Sequence, residues 1–170
     1  DGYTLHETEN LTGTTDATAT ATAKTYEGFS LNSAATGTVA SGTIAGDGSL
    51  VLKLYYDRSS YNVTYSYTGD VPTGAAAVPG TADYRYGATV TVAAAPTSPV
   101  DEGGYTYTFG AWSRTGTFEM PAEAVSITGA WTKVANTDTA YTVEHYWQNV
   151  EDDGYTLHET ENLTGTTDAT

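Results

Sequence analysis

Three histidines, His6, His145 and His158, are the side chains best suited to metal ligation or general base work. His6 and His158 occupy identical His-Glu-Thr-Glu segments, in which Glu7 and Glu9 could add oxygen ligands. The two-histidine helical spacing that gives a zinc motif its specificity is missing, so an exposed or strand-packed histidine is expected at all three positions. The Asp-rich turns Gly46-Asp47-Gly48 and Glu151-Asp152-Asp153-Gly154 offer oxygens to calcium, but neither has the long alternating acidic loop with its distal glutamate. Asp and Gly make turns without any ligand, which accounts for both segments. The many serines and threonines lie in no nucleophile motif of the G-x-S-x-G kind, and no pair of carboxylates can be placed for acid and base roles. No enzymatic activity is expected, and no catalytic, cofactor-binding or metal-binding residue is assigned.

Lys24, Lys53 and Lys133 raise a different chemistry, in which a buried lysine joins an asparagine side chain with a neighbouring acid as catalyst. Spacing alone cannot bring such a trio together, and each bond would lower the intact mass by one ammonia. Lys53 interrupts an apolar run, yet a lysine on an alternating strand usually points to solvent. Asn10-Leu11-Thr12, Asn62-Val63-Thr64 and Asn162-Leu163-Thr164 fit the glycosylation pattern, which a threonine-rich chain also produces by chance. The fourteen tyrosines suit cross-strand packing in thin cores, and aromatic rings of this kind also stack on sugars.

Only 16% of the 170 residues are charged and 39% are hydrophobic, which allows two small cores built from strands and turns. Six basic residues face twenty-one acidic ones, for a formal charge of -15. Lys24, Lys53, Lys133, Arg58, Arg85 and Arg114 form no cluster in the sequence, so a nucleic-acid partner is not expected. The absence of cysteine excludes disulfides, thiolate catalysis and thiolate-bound zinc. No apolar stretch reaches the length of a membrane span, and no membrane insertion is expected.

The strongest organisational signal is a repeat. Residues 1–18, DGYTLHETENLTGTTDAT, recur without change at 153–170, and the period of 152 residues suits a cassette of two modules of about 70 residues each. Tyr61, Val63, Tyr65 and Tyr67 alternate with polar residues, as do Tyr141, Val143, His145 and Trp147, and each run reads as a half-buried strand that opens a module. Further strands are expected at 88–95, 105–112 and 124–131, with 18–26 alternating Thr and Ala. A hairpin is expected to join Thr38–Ile44 to Ser49–Tyr56 through the turn at 46–48, with Val51, Leu52, Leu54, Tyr55 and Tyr56 as its core strand. Residues 69–80 read as a loop with one short helical turn at Gly74 to Val78. The division that follows is residues 1–58, a module lacking its first strand; 59–132, a complete module; 133–140, a linker; and 141–170, the first part of the next copy of the 1–58 type. A sheet short of one strand recruits any strand that fits, so residues 141–149 could complete the 1–58 module of a neighbouring molecule and build head-to-tail chains, the route expected in crystals, or fold back within their own molecule.

Residues 61–132 resemble the SHIRT and related B-repeat modules of Gram-positive surface adhesins. The resemblance rests on Val63-Thr-Tyr-Ser-Tyr-Thr-Gly, Pro72, Val78-Pro79, Tyr86-Gly87-Ala-Thr-Val, Tyr107-Thr-Phe-Gly-Ala-Trp112, Met120-Pro121 and Ile127-Thr-Gly-Ala-Trp131. Residues 141–152 followed by 1–58 look like a mucin-binding-protein-type repeat, through Tyr141-Thr-Val-Glu-His-Tyr, Asp1-Gly-Tyr, Gly13, Gly28-Phe29 and Leu52-Lys-Leu-Tyr-Tyr-Asp57. These resemblances imply small, mostly β modules in tandem, grasp-like α+β with one short helix, elongated overall. They also imply an extracellular, cell-wall-attached stalk whose repeats project an adhesive domain, with neighbouring repeats as its partners. The alternative they leave open is a glycan- or mucin-binding adhesion module that uses surface aromatics, for which Trp112, Trp131 and Trp147 are the candidates, although all three sit on expected core strands.

Overall fold

The computed structural model describes residues 2–168, so Asp1, Ala169 and Thr170 of the duplicated segment lie outside it. Thirteen strands and no helix are present among the described residues, which makes the protein all-β. No helix long and apolar enough to cross a membrane occurs among them. In chain order the strands are β1 Thr18–Thr20, β2 Phe29–Leu31, β3 Ser41–Thr43, β4 Tyr56–Arg58, β5 Ser60–Gly69, β6 Ala82–Arg85, β7 Thr89–Thr91, β8 Val100–Glu102, β9 Tyr105–Trp112, β10 Thr117–Glu119, β11 Val125–Ala135, β12 Thr139–Gln148 and β13 Tyr155–Gly165. Five of them form one sheet in the order β6-β5-β11-β9-β8, and the others pair as β1-β3, β2-β4, β7-β10 and β12-β13.

β11 shows why this sequence folds as a sheet. Val125, Ile127, Gly129 and Trp131 are buried and alternate with exposed Ser126, Thr128, Ala130 and Thr132, the period of two that a strand with one covered face requires. Trp131 stands opposite Phe109 of β9, and Gly129 opposite Trp112, with a register shift between the two pairs. A side chain at 129 would collide with the rings of Phe109 and Trp112, at 2.3 and 2.8 Å, so the close approach of two aromatic rings to the strand demands glycine there. β8 and β9 are joined by Gly103-Gly104, both at positive φ (60° and 81°), the arrangement that a two-residue hairpin needs to match strand twist.

The chain divides into two compact units. The first comprises Asp1–Val63, Ala82–Val90 and Thr117–Val125, and its buried apolar residues are Val63, Val90, Met120 and Val125. Phe29 packs edge-on to Tyr86, and Arg58 lies over the Phe29 ring while donating to the Tyr86 carbonyl at 2.7 Å. The second comprises Thr64–Thr81, Thr91–Gly116 and Ser126–Thr170. Its core is aromatic: Tyr67 stacks on Trp112 at 5.5 Å and meets Phe109 and Trp131 edge-on. Trp112 donates its indole N–H to the Ala94 carbonyl at 3.2 Å, and the Tyr65 hydroxyl accepts from the Ala93 N–H at 3.0 Å.

Several sequence expectations are met closely and others are corrected. Strands expected at 61–68, 105–112 and 124–131 appear as β5, β9 and β11, the last running on to Ala135; the one expected at 88–95 is shortened to β7, and the alternation at 18–26 yields only β1. The short helical turn at Gly74 to Val78 is absent. Pro72 instead opens a β-turn closed by the Ala75 N–H on the Pro72 carbonyl at 3.1 Å, and Gly74 donates to Glu102. Pro79, so close behind, discourages helical φ and ψ at Val78 and leaves too few residues to repay the cost of nucleating a helix. The expected 38–44/49–56 hairpin is reduced to a single bridge, Val39 to Lys53, because Ser41–Thr43 pairs with β1 and Tyr56–Arg58 with β2. Val51 is accordingly 61% exposed, and Leu52, Leu54, Tyr55 and Tyr56 are half-buried flanks rather than a core strand. β11 ends at Ala135 and β12 begins at Thr139, leaving residues 136–138 between them outside any strand.

Ile127 is fully enclosed in the second unit, with no side-chain exposure. Ile127→Ala is expected to destabilise the fold by about 2–5 kcal/mol, the usual cost of removing a buried aliphatic side chain and leaving a cavity. Denaturant unfolding followed by tryptophan fluorescence, which reports Trp112 and Trp131, measures it; a loss below about 0.5 kcal/mol, typical of surface positions, would place Ile127 outside the core.

Candidate functional site

The residues that attract chemical attention gather in the first unit, where the first copy of the duplicated segment meets the strands that follow it. Residues 2–14 form neither a strand nor a bridge with any described residue. Their side chains are nonetheless anchored. Lys24 holds Glu7 and Glu9 in ion pairs of 2.8 Å each, Tyr26 donates its hydroxyl to Glu7 at 2.8 Å, and the His6 ring meets Tyr26 edge-on. Tyr3 packs edge-on to Tyr55 and donates to Asp57, whose second oxygen accepts from Asn32 at 2.8 Å. Tyr56 props the cluster from behind: its hydroxyl accepts the Lys24 N–H at 2.9 Å and its ring packs edge-on to Tyr26.

The electrostatics follow from this contact set. Glu7 is held below the ordinary carboxylate range, first by the hydrogen bond from Lys24 and then by the one from Tyr26. Lys24 is raised above the ordinary ammonium value by Glu7 and then Glu9. Tyr26 and Tyr3 are raised because their hydroxyls donate to the carboxylates of Glu7 and Asp57, which ionisation would set against a second negative charge. Every group here is at least partly exposed to solvent, so the cluster orders a segment of chain rather than activating a nucleophile.

The second copy of the segment meets a different partner. Tyr155–Gly165 is β13, paired with β12 on both sides of a register shift at His158: Gln148 opposite Tyr155, Tyr146 opposite Leu157, His145 opposite Glu159, Val143 opposite Glu161 and Tyr141 opposite Leu163. The expectation that 141–149 is half-buried is corrected, since every residue of β12 except Val143 is exposed. Trp147, 63% exposed, stacks flat on His158 with ring centroids 3.4 Å apart. Of the three tryptophans, Trp112 and Trp131 are core and Trp147 is a surface residue.

The structure thus keeps the histidines apart in three settings: His6 on Tyr26, His158 on Trp147, and His145 at 3.4 Å from Glu161. No group of three or more potential metal ligands forms among the described residues. Asp47 accepts from the Ser49 N–H at 3.0 Å, and Asp152 accepts from Asn149 and from the Gly154 N–H at 2.7 Å each, so both acidic turns spend these oxygens on their own loops. Lys133 is 3.7 Å from Asp70 and lies over Tyr105, Lys53 is exposed, and no lysine is buried among the described residues. Asn10, Asn62 and Asn162 are all exposed. Sequence reasoning did not find the cluster around Lys24. The available signal was parity, because Lys24 and Tyr26 lie two apart on one face of an extended run, as do Glu7 and Glu9.

Comparison with known proteins adds one likeness. No family model matches the chain, and no curated protein does. Among solved structures, "Streptococcal High Identity Repeats in Tandem (SHIRT) domains 3-4 from cell surface protein" is similar at 17% identity and a TM-score of 0.38, over 74% of this chain and 82% of that one.

The lowered Glu7 carboxyl contributes to anchoring above its ordinary pKa, and that contribution is lost as pH falls through the lowered value. The raised Lys24 keeps its charge throughout neutral and acid conditions. Nuclear Overhauser contact between the His6 and Tyr26 rings is therefore expected at neutral pH, to fade below about pH 4, and to be missing at neutral pH in Lys24→Ala. Persistence of the contact in Lys24→Ala would show that the ion pairs do not anchor the segment.

Proposed function

We propose that the chain is a non-enzymatic repeat region of an extracellular, wall-attached bacterial surface protein, acting as an extended spacer that projects an adhesive domain. The observation that carries this reading is the unbroken identity of residues 1–18 and 153–170, the mark of an array of which the chain spans one period of 152 residues and the first 18 of another. Modules at 1–58 and 59–132, a linker at 133–140 and a further module opening at 141–170 give that period its organisation. A spacer requires stable units, short connections and a well-solvated surface. The aromatic core around Trp131, the three residues between β11 and β12, and a charge of -15 fit those needs. The SHIRT-like and mucin-binding-type motifs in the sequence support the Gram-positive surface setting.

A second reading, adhesion to host glycan or mucin, is favoured by one feature: the Trp147 ring, 63% exposed at the surface of the hairpin, is the kind of aromatic side chain on which sugars stack. A glycan array separates the two, since binding that disappears in Trp147→Ala supports adhesion and uniform silence supports the spacer.

Solution scattering on chains of one to four consecutive periods tests the spacer directly. A maximum dimension that rises linearly with the number of periods is expected, whereas growth as about the square root would identify flexible beads and defeat the stiff-spacer reading.

A further inference from the structure

The duplicated segment supplies an internal comparison, because one sequence is present twice in two environments, each half satisfied. In the first copy the side chains are anchored and residues 3–13 join no ladder among the described residues, with Leu5 and Leu11 82% and 84% exposed. In the second copy the backbone is paired to β12 and the equivalent leucines, Leu157 and Leu163, fall to 46% and 39% exposure opposite Tyr146 and Tyr141. The side chains that anchor the first copy have exposed counterparts in the second: Tyr155 is 66% exposed, and Glu159 lies open on the strand. A lone two-stranded hairpin with both faces open is marginal in water, and β12 pairs with no strand but β13 among the described residues.

We infer that the β12–β13 hairpin of one copy of this chain docks on the Lys24 cluster of a second copy, displacing that copy's own residues 3–13. The incoming strand presents Glu159 and Glu161 where Glu7 and Glu9 had been, to the same Lys24 and Tyr26, while the register shift beside His145 turns Tyr155 to the opposite face of the hairpin. The glutamate contacts with Lys24 and Tyr26 are kept, at the loss of the 3.4 Å approach of Glu161 to His145 and of the resident's Tyr3 and His6 contacts. The gain lies in order. The resident segment is held extended without a ladder and regains conformational freedom when released, while the hairpin arrives already ordered by β12. Its leucines are also covered in part beforehand. Because the hairpin and the Lys24 cluster are different surfaces, the contact is head-to-tail and propagates into open chains rather than closing as a dimer. The inference goes beyond the spacer reading and does not require it.

Equivalent substitutions in the two copies separate resident from incomer. Glu7→Lys with Glu9→Lys sets two lysines against Lys24 and weakens only the resident. Sedimentation should then show a weight-average mass that rises with concentration to about twofold or more above the 17.8 kDa chain. Glu159→Lys with Glu161→Lys should remain monomeric, as should all four changes together. A reversed set guards against a folding artefact: Lys24→Glu alone should stay monomeric, and Lys24→Glu with Glu159→Lys and Glu161→Lys should associate. Monomeric behaviour of both the Glu7/Glu9 variant and this reversed variant, with circular dichroism like that of the unaltered chain, would overturn the inference. So would association of the fourfold variant equal to that of the Glu7/Glu9 variant.

Discussion

An extended chain divides its side chains between two faces but cannot satisfy its own peptide groups; a helix closes its hydrogen bonds internally, whereas a strand must borrow a partner. In a protein with no helix among its described residues, that constraint decides everything else. β5, β9 and β11 have partners on both edges and a covered face, and they hold the aromatic core. In the β12–β13 and β1–β3 ladders, which have two strands each, burial falls away: Val143 is the one half-buried residue of β12, and nothing in β1 or β3 is fully buried.

The two copies of Tyr-Thr-Leu-His-Glu-Thr-Glu-Asn-Leu-Thr-Gly show the constraint acting on a single sequence. Tyr155–Gly165 is a strand because β12 lies beside it, and Tyr3–Gly13 is not a strand although every residue is the same. What takes the place of the ladder at 3–13 is a set of side-chain anchors, of which the ion pairs of Glu7 and Glu9 with Lys24 are the strongest in charge. Such exposed pairs contribute little each, and they position a segment rather than stabilise a domain. The cluster therefore serves as the anchor of a segment that no ladder holds.

Much of the five-stranded sheet was legible from residue order. Alternation in Tyr61–Tyr67 and around Ile127 and Trp131 is a local signal that survives folding, because a covered sheet face selects for it directly. The same signal misled at Tyr141–Trp147, where alternation marked a strand correctly but did not mean burial, since burial depends on whether a second layer is present to cover the face. It misled again at 38–56, where a good turn at 46–48 suggested a hairpin and the competing pairings of β3 with β1 and β4 with β2 reduced it to one bridge. Beyond the parity of Lys24 with Tyr26 and of Glu7 with Glu9, the Lys24 cluster was not legible, because its contacts span 15 to 54 residues.

The sequence by itself determined what is local. Thr15-Asp16 and Thr167-Asp168 each form a turn with the aspartate in the left-handed region, at φ 66° and 60°, the same geometry in both copies because a short polar side chain tolerates it wherever it occurs. Glycine at 103 and 104 fixed a hairpin in the same way. Only the tertiary structure decided which strands found partners, which tryptophan was left at the surface, and which copy of an identical segment became a strand. The physical reason is that a turn is complete within a few residues of itself, whereas a strand's hydrogen bonds and a residue's burial are supplied by chain far away in sequence.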